Sequence, residues 1–205
     1  MHIRTGACKY LFAPLISISI VACNNLLSIS ARDYEQYNFI NEQGYRYAKY
    51  RAPTPLTVPQ GNTISTGQLR KLIEEYQPIL IDVQAVTMRP ELADFEMDWL
   101  PSAPRESLPG AVWLPNVGYA ELDPRIEAYF KYNLQALTAG NKSLPIVIFC
   151  VVDCWLSWNA VQRAAGYGYD QLYWYRGGTD SWEAKGYRLK QVDPKPLKPV
   201  EATTR

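Results

Sequence analysis

Cys150 and Cys154 are the residues whose type and spacing best suit chemistry. They sit in the stretch IVIFCVVDCWLSWNA, Ile146 to Ala160. The apolar run Ile146 to Phe149 delivers the first thiol; Val151, Val152 and Asp153 separate it from the second. Trp155, Ser157, Trp158 and Asn159 follow on what reads as a helix leaving the loop. A thiol where a buried strand passes into a helix meets backbone N–H groups and the positive end of the helix dipole. Both favour the thiolate. On this reading Cys150 is the more acidic thiol and Cys154, one helical turn on, resolves it. Asp153 reads as the cap of the helix.

Four uses of the pair stand open. Thiols four apart in a helix-like turn have Cα atoms about 6 Å apart, in reach of a somewhat strained and therefore labile bridge. That suits a dithiol–disulfide couple. The same bond, never turned over, would be a staple, and closing so small a loop it would stabilise little. Cys150 alone could carry a sulfur atom. A metal site fits least, because two thiolates and a carboxylate leave a zinc or copper shell incomplete; no metal is expected. The nearby aromatic residues divide two ways. Trp155 and Trp158 read as core, whereas Tyr173, Trp174 and Tyr175 could form a rim suited to a flat quinone or a partner's loop. Ser157 and Asn159 either bond the loop backbone or face water.

The start of the chain fixes what else is available. Arg4 and Lys9 precede the apolar LFAPLISISIVA, the order of a secretory signal and too short for a membrane span. Residues 1–30 are assigned to it. Ile20-Val21-Ala22-Cys23 resembles a lipobox, making Cys23 a lipidation candidate and the only route to a membrane; Ser28-Ile29-Ser30 offers ordinary cleavage instead. His2, the one histidine, leaves with the signal. So do Arg4 and Lys9, taking 21 basic residues to 19 against 20 acidic ones. A near-neutral chain has no field to attract nucleic acid. Cys150 and Cys154 become the thiols of the folded domain, in an oxidising compartment where near thiols tend to pair.

Between these ends the chain alternates helix and strand. Residues 31–60 are tyrosine- and proline-rich, an extension packing on the domain with a short strand expected near Tyr45–Arg51. STGQLRKLIEEY opens a helix with capping-box spacing between Ser65 and Gln68. PILIDVQ, GAVWLP, PIVIFC and QLYWYRGG read as strands. Met88 to Pro109 reads as a surface loop. Asp123, Pro124 and Gly140 punctuate a second helix; SWNAVQRAAGYG and TDSWEAKGY make two more. The expected fold is α/β over residues 61–190, three layers with a mainly parallel sheet and helices on both faces. Sites in such sheets form where strands end and helices begin. Residues 191–205 read as a flexible tail.

The succession LIDV, LPGAVWLP, PIVIFC, helix and LYWYRGGTDSW resembles the rhodanese-like domain. GYRYAKYRAPTP, LPGAVWLPNVGYAEL and DCWLSWNAVQRA resemble more closely the exported rhodanese-like proteins known as the pyrroloquinoline-quinone (PQQ)-dependent catabolism-associated CXXCW motif family. The resemblance implies a periplasmic accessory of quinoprotein-dependent alcohol catabolism, associated with PQQ and partnered by a quinoprotein dehydrogenase or its cytochrome. A redox site at Cys150 and Cys154 is one implied role; a non-catalytic binding or chaperone-like module and a sulfurtransferase using a Cys150 persulfide are the others. Cys150 stands at the persulfide position and Asp82 at the acid of the DVR motif. Gln84 replaces that motif's arginine, Ser107 the histidine that usually precedes PGA, and Asp153 and Trp155 the glycine and arginine of the active loop. These replacements predict weak sulfur transfer from anionic donors.

Overall fold

The computed structural model describes residues 38–88 and 99–197. The signal assignment and Cys23 lie outside them. Five parallel strands form the central sheet in the order β1 (Asn62–Thr63), β8 (Leu172–Tyr175), β7 (Ile146–Phe149), β2 (Ile79–Asp82), β6 (Val112–Trp113). The fold is α/β, as the alternation of elements requires. All four residues of β7 are buried, because the strand is central and both of its faces are covered. Ile146 and Ile148 join the core under α2 (Pro124–Thr138) and α3 (Trp155–Gly166). Val147 and Phe149 face the opposite core with Leu69 of α1 (Thr66–Tyr76) and Trp182 of α4 (Gly178–Glu183). Period-two alternation along one strand thus makes the three layers.

Local signals account for the helix ends. The Ser65 hydroxyl accepts from the Gln68 amide while the Gln68 side chain accepts from the Ser65 amide, closing the capping box. Asp123 accepts from the Arg125 amide, and Pro124 occupies the first turn, where its missing N–H costs nothing. Ala139 and Gly140 end α2 with two left-handed residues.

Three expectations need correction. No strand forms at Tyr45–Arg51; that stretch makes isolated bridges, Ile40 with Arg46 and Arg51 with Cys154, because it crosses the domain rather than lying along an edge. The Met88–Pro109 loop carries β3 (Thr87–Met88) paired with β4 (Trp99–Leu100), and β5 (Arg105–Ser107). β5 pairs antiparallel with β9 (Lys190–Val192), so the tail assigned from 191 begins inside a strand. Beyond it the Lys195 carbonyl accepts from Trp99 Nε1 and the Tyr129 hydroxyl, pinning the chain to the core; residues 198–205 lie outside those described.

Candidate functional site

The loop from β7 to α3 holds both thiols, and two other segments hold the loop, the start of α4 and the strap Tyr50–Thr54. Cys150 is fully buried and Cys154 is 2% exposed. The Cys150 carbonyl accepts from the Thr179 amide at 3.0 Å. Gly178 makes that approach feasible: its φ is +55°, and a Cβ there would lie 2.3 Å from the Cys150 oxygen. The Val152 amide donates to Asp180 Oδ2 at 2.7 Å. Tyr50 to Thr54 then cross the loop as a strap. Trp155 N donates to Tyr50 O at 2.9 Å, Ala52 N to Asp153 O at 3.2 Å, and Arg51 Nη1 to Val152 O at 2.6 Å.

Asp153 does not cap α3. Its backbone is left-handed (φ +54°), which turns its carboxylate outward to accept from the Thr54 amide at 3.2 Å and to face Arg176 at 3.8 Å. Cys154 takes the N-cap position, with no side-chain bond closing the cap.

The thiols differ in the opposite sense to the sequence reading. Burial pushes the Cys150 thiol well up, and the neighbouring Cys154 sulfur adds to this. The Cys154 thiol is lowered, first by hydrogen bonding from Cys150, then by the Leu156 and Ser157 amides and the Arg51 charge, with burial opposing. The helix dipole therefore acts on the N-cap cysteine rather than on the one closing the strand. Cys150 Sγ also donates to Gln84 Oε1 at 3.0 Å. Its single proton thus has two acceptors, the Gln84 carbonyl and the Cys154 sulfur.

Asp82 serves the scaffold. Buried completely, it accepts from the Ser107 hydroxyl at 2.6 Å and the Gln84 amide at 3.0 Å, and pairs with Arg105 Nη2 at 2.7 Å. Ser107 and Arg105 come together in β5, so the histidine-to-serine replacement and a guanidinium from outside the motif complete one buried cluster. The Gln84 backbone amide thus serves Asp82 while its side-chain oxygen accepts from Cys150.

The remaining site residues belong to packing. Trp155 is buried with Arg46 over its ring at 4.5 Å and Trp158 edge-on at 5.1 Å. Trp158 Nε1 donates to Thr57 O. Trp174 and Tyr175 are buried too and Tyr173 is half-buried against the core that holds Tyr175, so the proposed aromatic rim is mostly core, drawn in because β8 lies inside the sheet. Ser157 and Asn159 do not face water. Ser157 Oγ donates to Cys154 O and accepts from Trp174 Nε1. Asn159 accepts from Arg46 N and donates to Arg46 O and Gly118 O, tying the extension to α3.

A cleft of about 380 Å³ opens beside the loop, its polar lining Arg51, Gln84, Ser102 and Arg105, its apolar lining including Trp113 and Val151. The sequence reading noted Gln84 only as a lost arginine. It missed Arg51, Arg105 and Asp180, which are remote in sequence; the bracketing of Arg51 by tyrosine and proline in KYRAPTP was the one available signal.

The rhodanese-like domain profile matches residues 65–185, well over half of the chain, and the protein belongs to that family. No curated protein matches the sequence. Among solved structures, the chain is similar to the 30 kDa polysulfide-sulfur transferase homodimer of Wolinella succinogenes (18% identity, TM-score 0.40, covering 64% of this chain and 79% of that one). It is also similar to thiosulfate sulfurtransferase of Pseudomonas aeruginosa (12% identity, TM-score 0.45, 69% and 22%).

Proposed function

We propose that this rhodanese-like protein is a dithiol redox protein, with Cys154 as the nucleophile and Cys150 as the resolving thiol. The reading rests on one observation: two neighbouring free thiols lie where β7 passes into α3, Cys154 at the N-cap of the helix and Cys150 fully buried with its Sγ donating to Gln84. An acidic thiol beside a proton-retaining one is the arrangement thiol–disulfide exchange uses, since the first attacks and the second waits. Sulfur transfer is less well supported. The loop amides of Val152 and Trp155, which could cradle an anionic donor, are spent on Asp180 and on the Tyr50 carbonyl.

The motif resemblance adds a setting: an exported protein, periplasmic and lipid-anchored if Cys23 is its first residue, serving PQQ-dependent alcohol oxidation beside a quinoprotein dehydrogenase or its cytochrome. The test is trapping from native extracts. Cys150→Ser should accumulate a mixed disulfide through Cys154, and Cys154→Ser much less. Redox titration with alkylation and mass spectrometry should place the couple above about −300 mV, the range of exchangeable bridges. A bond that a glutathione buffer cannot open, with no trapped partner, would make the pair a staple. N-terminal sequencing that finds Met1 on native protein would rule out the exported setting.

A further inference from the structure

Both thiols are buried, so reaction at either needs part of their cover to move. On one side of the loop the cover is core: Gly178, Thr179 and Trp182 of α4 are buried, and the Thr179 amide holds the Cys150 carbonyl. On the other side the cover is the chain from Tyr47 to Pro53, in which every residue is exposed or half-buried. Buried anchors bracket it. Upstream, Asn159 clamps both backbone polar groups of Arg46. Downstream, Arg176 donates to the Thr54 hydroxyl at 3.0 Å and to its carbonyl at 3.1 Å. Between the anchors Lys49 is left-handed at φ +48°, which strains a residue with a long side chain. The register is specific. Trp155 N donates to Tyr50 O and Ala52 N to Asp153 O, which sets Arg51 directly opposite Cys154 in an antiparallel pair. It is the non-hydrogen-bonded kind of pair, in which the two backbones come closest. The Arg51 bond to the Val152 carbonyl and a ring contact of Tyr50 with the half-buried Tyr119 complete the hold. Few bonds, all near the surface, are what local opening breaks first.

We propose that Tyr47–Pro53 is a gate over the thiol pair: the segment swings off the loop between its anchors, with Lys49 as the hinge, and bares Cys154 while the sheet and helices stay in place. Cys154 is reached first because the segment lies along that residue, whereas Cys150 stays under α4. Closed, the gate keeps small oxidants and disulfides from the pair. Open, it leaves the Trp155 amide and the Asp153 carbonyl unpaired on either side of Cys154. The gate deepens the dithiol reading: it sets when the pair is within reach, and takes from that reading only what the pair then does.

The test is site-resolved alkylation of the reduced full-length chain with two reagents, iodoacetamide and a maleimide carried on polyethylene glycol. Each rate is divided by that reagent's rate with glutathione, and peptide mass spectrometry assigns the cysteine. Arg51→Ala removes one charge-assisted bond from the closed gate, so Cys154 should react about tenfold faster with both reagents. Loss of the Arg51 charge alone would slow Cys154, so a rise reports access. Asp180→Ala, which frees the Val152 amide on the α4 side, should leave the Cys154 rate nearly unchanged. Below the unfolding transition that rate should vary little with urea, because opening the segment exposes little new surface. No rise in Arg51→Ala, a rise with iodoacetamide alone, an equal rise in Asp180→Ala, or a urea slope as steep as that of global unfolding overturns the gate. Those outcomes leave the dithiol reading standing. Failure of the pair to form a disulfide in the redox titration overturns that reading and leaves the gate.

Discussion

Asn159→Ala should loosen the strap over the cysteines and destabilise the fold together. Asn159 is fully buried and makes three bonds: from Arg46 N at 2.9 Å, and to Arg46 O and Gly118 O at 2.8 Å each. Each such bond is worth about 1 kcal/mol net, and a buried N–H left without an acceptor costs more, so the loss is about 3 kcal/mol. Against a typical domain stability of about 5–15 kcal/mol this is large. With a urea dependence near 2 kcal/mol per molar, the midpoint should fall by about 1.5 M. The same bonds anchor the chain that runs on to Tyr50–Thr54, so local opening becomes easier. If all the loss falls on that opening, alkylation of Cys154 under native conditions should rise by up to about 100-fold. A midpoint shift under about 0.5 M with unchanged alkylation would refute the view that Asn159 holds the strap.

Arg105→Met should cost about 3–5 kcal/mol in chemical denaturation, because it leaves the buried Asp82 carboxylate without its cation; adding Asp82→Asn should recover part of that loss. Gly178→Ala should cost more than about 1 kcal/mol and speed Cys150 alkylation, since the residue is left-handed and its Cβ would strike the Cys150 carbonyl. Stability should fall as pH rises. Cys150 is pushed up by burial, Tyr129 is pushed up by burial, and Tyr167 reaches about 12 for the same first reason, so each stays protonated in the fold after the unfolded chain has ionised. The decline should begin above about pH 8.5 and steepen above about pH 10, and Cys150→Ser should remove its first limb. Cys154 runs the other way: its lowered pKa contributes stability that is full above about pH 8.5 and lost below, so Cys154→Ser should flatten that lower range.

The periodic part of the fold was legible because its signals are local. Ser65 and Gln68, Asp123 and Pro124, and the apolar run Ile146 to Phe149 each set an element's end or burial from their own neighbours. What was not legible depends on contacts across the chain. Met88 to Pro109 lacks periodicity, yet Arg105 to Ser107 becomes a strand because Lys190 to Val192 comes alongside. Trp174 and Tyr175 read as a rim, and only the position of β8 inside the sheet makes them core.

The reversal of the two cysteines follows from the same division. The sequence places Cys150 at a strand end and a helix nearby, and the dipole argument is sound as far as it goes. It does not say which residue the helix starts from. Asp153 turns left-handed to meet Thr54 and Arg176, so the cap position passes to Cys154. Burial under the strap and α4 then leaves Cys150 in the place where a thiol keeps its proton. Gln84 fits that outcome: an arginine there would stabilise a Cys150 thiolate, whereas a neutral amide oxygen accepts from a thiol. The replacement that looked like a lost substrate contact is therefore consistent with attack by Cys154, and Gln84→Arg should make Cys150 the faster-alkylating thiol at neutral pH. If Cys154 remains the faster thiol in that variant, the proton's location is set by burial alone and Gln84 has no part in it.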